Sequence, residues 1–223
     1  GLTFLERPDV PAGSIVLPPG LLNLLRRHVI GIGERSSGLT RLGQHLKRGV
    51  LLYGAPGTGK TLTVRHLVGQ TDSTVIMLTG PALAAVGLAT RTARALAPAV
   101  VVLEDCDLVA EERSQFSSSP LLFEVLDSLD GLEADADVTF ILTTNRVDVL
   151  EPALAQRPGR IDLAVEVPLP DAGARRALLD VYAHPLPLSA GVLDEAAGRA
   201  SGTTASFARE LVRRAALDAA EAD

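Results

Sequence analysis

The sequence predicts an α/β fold, in which a doubly wound parallel sheet is followed by a small C-terminal helical lid domain. From residue 50 onward, short apolar runs rich in β-branched residues alternate with longer amphipathic runs. This alternation is typical of βαβ units whose strands are covered on both faces. After Pro168 only helical patterns follow. We therefore expect an N-terminal lead at 1–48, an α/β subdomain at 49–168 and the helical lid at 169–223.

Each element is predicted from its hydrophobic pattern. The lead is broken by prolines and then predicts one amphipathic helix at 21–30. Apolar, β-branched runs predict the strands of the sheet at 50–53, 74–78, 100–103, 138–143 and 163–167. Amphipathic runs predict helices at 60–69, 81–96 and 120–129, followed by lid helices at 171–183, 190–200 and 206–220.

Composition excludes several classes of protein. With 47% hydrophobic and 22% charged residues, the chain is expected to be globular rather than disordered. The 21 basic and 27 acidic side chains give a net charge of −6, which argues against binding to a phosphate backbone. Aromatic residues make up only 3% and Trp is missing, so few rings are available to stack on bases. We therefore expect no nucleic-acid partner.

The same composition predicts a cytoplasmic protein. A single cysteine, Cys106, cannot form an internal disulfide, which fits a reducing compartment. No signal peptide is recognised, and no apolar run reaches the roughly 20 residues that span a bilayer, so no membrane association is expected. Because the only methionine is Met77, we expect the chain to be a piece of a longer protein.

The strongest local signal is a glycine-rich loop, GAPGTGKT, between a predicted strand and a predicted helix. It matches the pattern G-x-x-x-x-G-K-[ST] in its required context, where backbone N–H groups at a helix N-terminus surround phosphate. In this pattern Lys60 reaches the β- and γ-phosphates, and the Thr61 hydroxyl is a ligand of Mg²⁺. The loop predicts a site for ATP or ADP with Mg²⁺, formed by Gly54, Ala55, Pro56, Gly57, Thr58, Gly59, Lys60, Thr61 and Leu62.

Acidic residues follow the third predicted strand, in the sequence VVVLEDCD. They stand at the edge of the sheet where ligands of doubly wound folds bind. One carboxylate there can support Mg²⁺, and the next can orient or deprotonate the attacking water. Glu104 and Asp105 are the candidates for these roles. The alternative is an acidic turn that only faces solvent.

Together with three further motifs, this loop and these acids resemble the AAA ATPase family, the classical branch of the AAA+ group. The further motifs are TTN at 143–145, EPALAQRPGRID at 151–162 and DGL at 130–132. The resemblance implies that Asn145 helps to position the lytic water. It also implies that Arg157 and Arg160 face the γ-phosphate of a neighbouring subunit, although surface arginines on a turn remain the alternative. A homo-oligomeric ring, most often a hexamer, and a protein partner that is remodelled by ATP hydrolysis follow from the same resemblance.

Three positions depart from the family pattern. The family has Asp followed by Glu, whereas this chain has Glu104 followed by Asp105. Glu104 is then the acid on the Mg²⁺ side and Asp105 the base, and the shorter base predicts slow hydrolysis, because a misplacement of about 1 Å can cost on the order of 100-fold in rate. Ala85 stands where ring translocases carry a pore-loop aromatic, which favours remodelling of a partner over threading.

The third departure lies in the lid, where Thr204-Ala205-Ser206-Phe207 replaces Ser-Gly-Ala-Asp. The small residues Ala205 and Ser206 are expected to approach the adenine. The alternative is an ordinary helix start with Thr204 as N-cap. Two other functions remain open: a nucleotide-gated scaffold with little or no turnover, and a nucleic-acid-remodelling AAA+ ATPase.

Overall fold

The computed structural model describes residues 3–106, 136–146 and 161–222. The predicted helix at 120–129, the DGL motif at 130–132, and both Arg157 and Arg160 lie outside the described residues.

A five-stranded parallel sheet confirms the predicted α/β fold. The strands are β1 (Arg48–Tyr53), β2 (Thr74–Thr79), β3 (Ala99–Glu104), β4 (Val138–Thr144) and β5 (Leu163–Glu166). Their order across the sheet is β2-β3-β4-β1-β5, and every pair of neighbours is parallel. Strands β3 and β4 are buried along their whole length, which explains why their sequences, apart from Glu104 at the end of β3, are continuously apolar or β-branched rather than alternating.

Helices precede, connect and follow the strands. They are α1 (Leu21–Arg26), α2 (Ser36–Arg41), α3 (Lys60–Gly69), α4 (Val86–Ala95), α5 (Ala172–Ala183), α6 (Ala190–Arg199) and α7 (Ala205–Ala222). None of the described helices is both long enough and apolar enough to cross a membrane.

Two predicted helices differ in detail from the observed ones. The predicted helix at 81–96 begins as a 3-10 segment, Gly80–Ala85, and becomes α-helical only at Val86. The predicted helix at 21–30 is α1 followed by a π-helical turn, Arg27–Gly31. Helix α2 was not predicted, because its sequence SSGLTR contains residues of low helix propensity and no clear apolar face.

Two apolar layers cover the sheet. On one face, helix α4 packs over residues such as Leu51, Val101 and Phe140. On the other face, α1 and α3 pack over alternate residues of the same strands, including Val50 and Ile141. This two-sided burial fixes the carboxyl edge of the sheet, from which the functional side chains emerge.

The lid consists of α5, α6 and α7, which bury an apolar cluster of their own. Asp171 accepts a hydrogen bond from the Ala174 N–H at 2.7 Å and so caps the first of these helices. Val16 from the lead packs against the lid cluster, while the next residue, Leu17, packs against the sheet. The lead therefore contacts both parts of the protein.

Candidate nucleotide-binding site

The phosphate-binding loop, residues 54–61, connects the carboxyl end of β1 to α3. Its three glycines, Gly54, Gly57 and Gly59, have φ angles of 142°, 77° and 108°, a backbone region that side-chain-bearing residues rarely adopt. A Cβ atom added at Gly54 would also collide with the carbonyl oxygen of Val167, where the chain leaves β5. The glycines are therefore required by the conformation of the loop and by its close contact with the chain after β5.

Lys60 lies inside this loop. Its side chain is buried, and its ammonium group donates hydrogen bonds to the carbonyl oxygens of Gly54 at 2.8 Å and Ala55 at 2.9 Å. The Thr58 hydroxyl donates to the same Ala55 oxygen at 2.9 Å. A buried ammonium that donates to neutral carbonyls would gain stronger, charge-assisted bonds from phosphate oxygens. The position of Lys60 is thus suited to an anion within the loop.

Glu104, the last residue of β3, lies beside Thr61, the next residue of the loop motif. Burial of the Glu104 carboxyl raises its pKa above the ordinary value, against the opposing effects of the Arg65 charge and a hydrogen bond from the Thr61 side chain. Its Oε1 atom is buried and has no hydrogen-bond partner among the described residues. A hydroxyl and a carboxylate with a free oxygen form the hard-oxygen donor pair that Mg²⁺ prefers, so these two side chains fit the expected metal ion.

Asp105 and Asn145 meet at the same edge of the sheet. The Asn145 amide nitrogen lies 3.5 Å from the Asp105 Oδ1 atom, a long hydrogen bond. Asn145 directly follows β4, and Asp105 directly follows the adjacent strand β3. Because parallel strands end at the same edge, these polar groups converge next to the loop. A water molecule activated at this position would need a carboxylate to accept its proton, as Asp105 offers, and an amide to orient it, as Asn145 offers.

The lid contacts the loop through the start of α7. The Ser206 N–H donates to the Gly57 carbonyl oxygen at 3.0 Å. The Thr204 hydroxyl accepts from the Phe207 N–H at 3.2 Å, which is the expected N-cap geometry. Ala205 is buried, whereas Ser206 is exposed beside the loop. The capping role of Thr204 is therefore observed, and the same helix start also touches the phosphate-binding loop.

Sequence reasoning missed two contributors to this site. Thr143 was noted only as part of the TTN motif, yet its hydroxyl accepts a hydrogen bond from the Asp105 N–H at 2.9 Å. The alternation of side chains along β4 places Thr143 on the same face as Asn145, which is a signal that was available. Arg65 is an exposed residue of α3, and nothing in its sequence context indicated its electrostatic effect on Glu104.

Comparison with known proteins identifies the family. Residues 50–169 match the profile of the ATPase family associated with various cellular activities (AAA). The chain belongs to the AAA family. The matched segment contains the loop, the acidic residues and Asn145, so the predicted resemblance is confirmed.

The chain is similar to proteins of several different names. The chain is 39% identical over 194 residues to the ATP-dependent zinc metalloprotease FtsH 2 of Sphaerobacter thermophilus, covering 81% of the chain and 30% of that protein. It is 33% identical over 192 residues to the cell division cycle protein 48 homolog of Archaeoglobus fulgidus, and this match covers 80% of the chain and 26% of that protein. It is 36% identical over 167 residues to the 26S proteasome regulatory subunit 8 homolog of Schizosaccharomyces pombe, and this match covers 68% of the chain and 41% of that protein. The chain thus spans less than half the length of each of these relatives.

Proposed function

We propose that this AAA domain binds ATP with Mg²⁺ and hydrolyses it as one subunit of a homo-oligomeric ring, and that hydrolysis is coupled to remodelling of a protein partner. The observation that supports this proposal is the convergence of Lys60, Thr61, Glu104, Asp105 and Asn145 around one anion-binding loop. Such a set provides a phosphate ligand, a metal ligand pair and a means to activate water. The names of the relatives, which include a proteasome regulatory subunit and a metalloprotease, favour a protein as the partner.

In this proposal the loop holds the nucleotide. Its backbone N–H groups and the Lys60 ammonium bind the phosphates, and Ala205 and Ser206 lie on the side of the adenine. Thr61 and Glu104 would hold Mg²⁺, which when bound would neutralise charge on the phosphate oxygens. The buried carboxyl of Glu104, with one oxygen lacking a partner among the described residues, is consistent with this role.

Asp105 acts as the base in this proposal. Its carboxylate accepts a proton from the water that attacks the γ-phosphate, while the Asn145 amide orients that water. Arg157 and Arg160 of a neighbouring subunit complete the site by stabilising charge on the phosphoryl group in the transition state. Because Asp is one methylene shorter than the usual Glu, turnover is expected to be slow.

The assembly and the domain organisation are proposed with the function. The lead at 1–48, the ATPase subdomain at 49–168 and the lid at 169–223 form one subunit, and six subunits form the ring. A site that needs arginines from a neighbour is active only in the assembled state. ATP hydrolysis should therefore appear together with a change in molecular size when ATP is added.

Replacing Lys60 with Ala tests the proposal. This change removes the charged phosphate ligand, and each lost charge-assisted bond is worth about 1.5–3 kcal/mol, or roughly 10- to 100-fold in affinity. We expect Lys60→Ala to lose measurable ATP binding in calorimetry and phosphate release at saturating ATP with Mg²⁺. Lys47→Ala, which removes the other lysine of the chain, is the matched control and should retain both. Unaltered ATP binding by a folded Lys60→Ala protein would contradict the proposed site.

The second candidate is a nucleotide-gated scaffold that binds ATP but hardly hydrolyses it. The observation that favours it is the exchange of the two acids, which places the shorter side chain in the position of the base. Steady-state phosphate release from the assembled ring separates the two functions. A ring that binds ATP and releases no phosphate would favour the scaffold. The net charge of −6 argues against a nucleic-acid-remodelling ATPase.

A further inference from the structure

The regular backbone hydrogen bonding between β3 and β4 stops at the edge of the sheet next to the candidate site. The paired ladder of these strands ends at Leu103 and Leu142. Beyond it, two consecutive backbone N–H groups from the β3 side both bond to one residue, Thr143. The Asp105 N–H donates to the Thr143 hydroxyl at 2.9 Å, and the Cys106 N–H donates to the Thr143 carbonyl oxygen at 3.0 Å. A side-chain hydroxyl thus provides the acceptor for the backbone of Asp105.

The backbone of Asp105 adopts an unfavourable conformation at this point. Its φ angle is 53°, and among the described residues it is the sole non-glycine residue with a positive φ. This left-handed region is disfavoured for residues with side chains, although Asp adopts it more readily than most. Such a conformation persists only where the surroundings hold it in place. The two bonds to Thr143 flank the left-handed residue and are the contacts that can hold it.

Strand β4 and the residue that follows it therefore contact Asp105 twice. The Thr143 hydroxyl binds the backbone N–H of Asp105, and the Asn145 amide lies 3.5 Å from its carboxylate. Thr143 and Asn145 are two residues apart, so their side chains project from the same face of the chain. Thr143 is fully buried, and no solvent is available there to replace its hydroxyl as an acceptor.

We infer that Thr143 is a positioning residue for ATP hydrolysis, which fixes the Asp105 backbone in its left-handed conformation and thereby places the carboxylate of the base. This inference rests on the proposed function, in which Asp105 activates the lytic water. Loss of the hydroxyl leaves the Asp105 N–H without its acceptor and releases the turn. A displacement of the carboxylate by about 1 Å is enough to reduce the rate on the order of 100-fold.

Thr143→Val and Thr143→Ser test the hydroxyl directly. Valine keeps the shape of threonine but has no acceptor, whereas serine keeps the acceptor. The structure offers a matched control on the same face of β4: Thr139 is fully buried, and its hydroxyl has no partner among the described residues. Thr139→Val therefore makes the same chemical change without removing a hydrogen bond.

Phosphate release and ATP affinity are measured for each assembled variant with Mg²⁺. We expect Thr143→Val to lower kcat by about 100-fold and to leave the Kd for ATP unchanged, because the carboxylate acts on water and not on nucleotide binding. Thr143→Ser should restore most of kcat, and Thr139→Val should match the wild type. A Thr143→Val protein with normal kcat, or a serine variant that fails to restore it, overturns the inference.

A double-mutant cycle asks whether Thr143 acts through Asp105. In an Asp105→Asn background the base is already lost, so adding Thr143→Val should cause no further reduction in single-turnover hydrolysis. An equal, multiplicative reduction in both backgrounds would show that Thr143 acts independently of Asp105 and would overturn the inference. If the assembled wild-type protein binds ATP but releases no phosphate, the proposed function itself fails, and the inference fails with it.

Discussion

Substituting Gly57 with Ala probes the contact between the phosphate-binding loop and the lid. Gly57 has a φ angle of +77°, and its carbonyl oxygen accepts the hydrogen bond from the Ser206 N–H. An added Cβ would lie 3.0 Å from the Ser206 hydroxyl oxygen and 3.1 Å from both the Ser206 Cβ and the Thr204 hydroxyl oxygen. The hydroxyl of Ser206 can rotate away, but its Cβ is fixed by the backbone that bonds to Gly57. The lid must therefore shift to accept the substitution.

Gly202 provides a control that separates backbone strain from this contact. Its φ angle is +76°, almost the same as that of Gly57, and a Cβ built there meets no atom within 4 Å. Alanine in the left-handed region costs about 1–2 kcal/mol at either position. Gly57→Ala also carries the cost of overpacking, typically about 1–3 kcal/mol. We therefore expect Gly57→Ala to lower the free energy of unfolding by about 2 kcal/mol more than Gly202→Ala does.

Denaturant unfolding of the nucleotide-free protein measures this difference. In thermal unfolding the same difference corresponds to a Tm roughly 4–8 °C lower for Gly57→Ala than for Gly202→Ala in a chain of this size. The binding of ATP should weaken only in Gly57→Ala, because only this substitution lies in the phosphate-binding loop and shifts the lid that contacts it. Equal losses of stability in the two variants would mean that the lid does not rest on the loop as the Ser206 contact indicates.

The remaining predictions concern stability. Arg48 is buried, and its guanidinium bonds three backbone carbonyls and the Asp137 carboxylate, the last at 2.7 Å. Arg48→Met should lower the free energy of unfolding by about 3–5 kcal/mol, whereas Arg199→Met, at an exposed ion pair, should cost less than about 1 kcal/mol in the same denaturation assay. Asp171→Ala removes the cap of α5 and should cost about 1 kcal/mol, while Asp171→Asn should retain most of the stability. Equal losses for the two arginine variants, or an Asp171→Ala protein as stable as the wild type, would contradict these assignments.

The parts of the fold that could be predicted are those whose signal is local. The helix predicted at 60–69 has the observed bounds, because a phosphate-binding motif fixes where it begins. The predicted strands lie within two residues of the observed ones, since buried parallel strands are continuous apolar runs. The 3-10 segment before α4 and the π-helical turn after α1 were not predicted, because a shift from i−4 to i−3 or i−5 hydrogen bonds changes the hydrophobic period only slightly.

The candidate site was predictable in its residues but not in its geometry. Glu104 is the last residue of β3, so the alternation along the strand sets its direction. Asp105 lies beyond the strand in a left-handed turn. The hydroxyl of Thr143, 38 residues further along the chain, holds this turn in place. The alternation along β4 indicates that Thr143 shares a face with Asn145, but no pattern of local residues reports its hydrogen bond to the Asp105 backbone. The reach of the Asp105 carboxylate consequently depends on this turn as well as on side-chain length, so the turn and the shorter side chain together determine the slow hydrolysis that we propose.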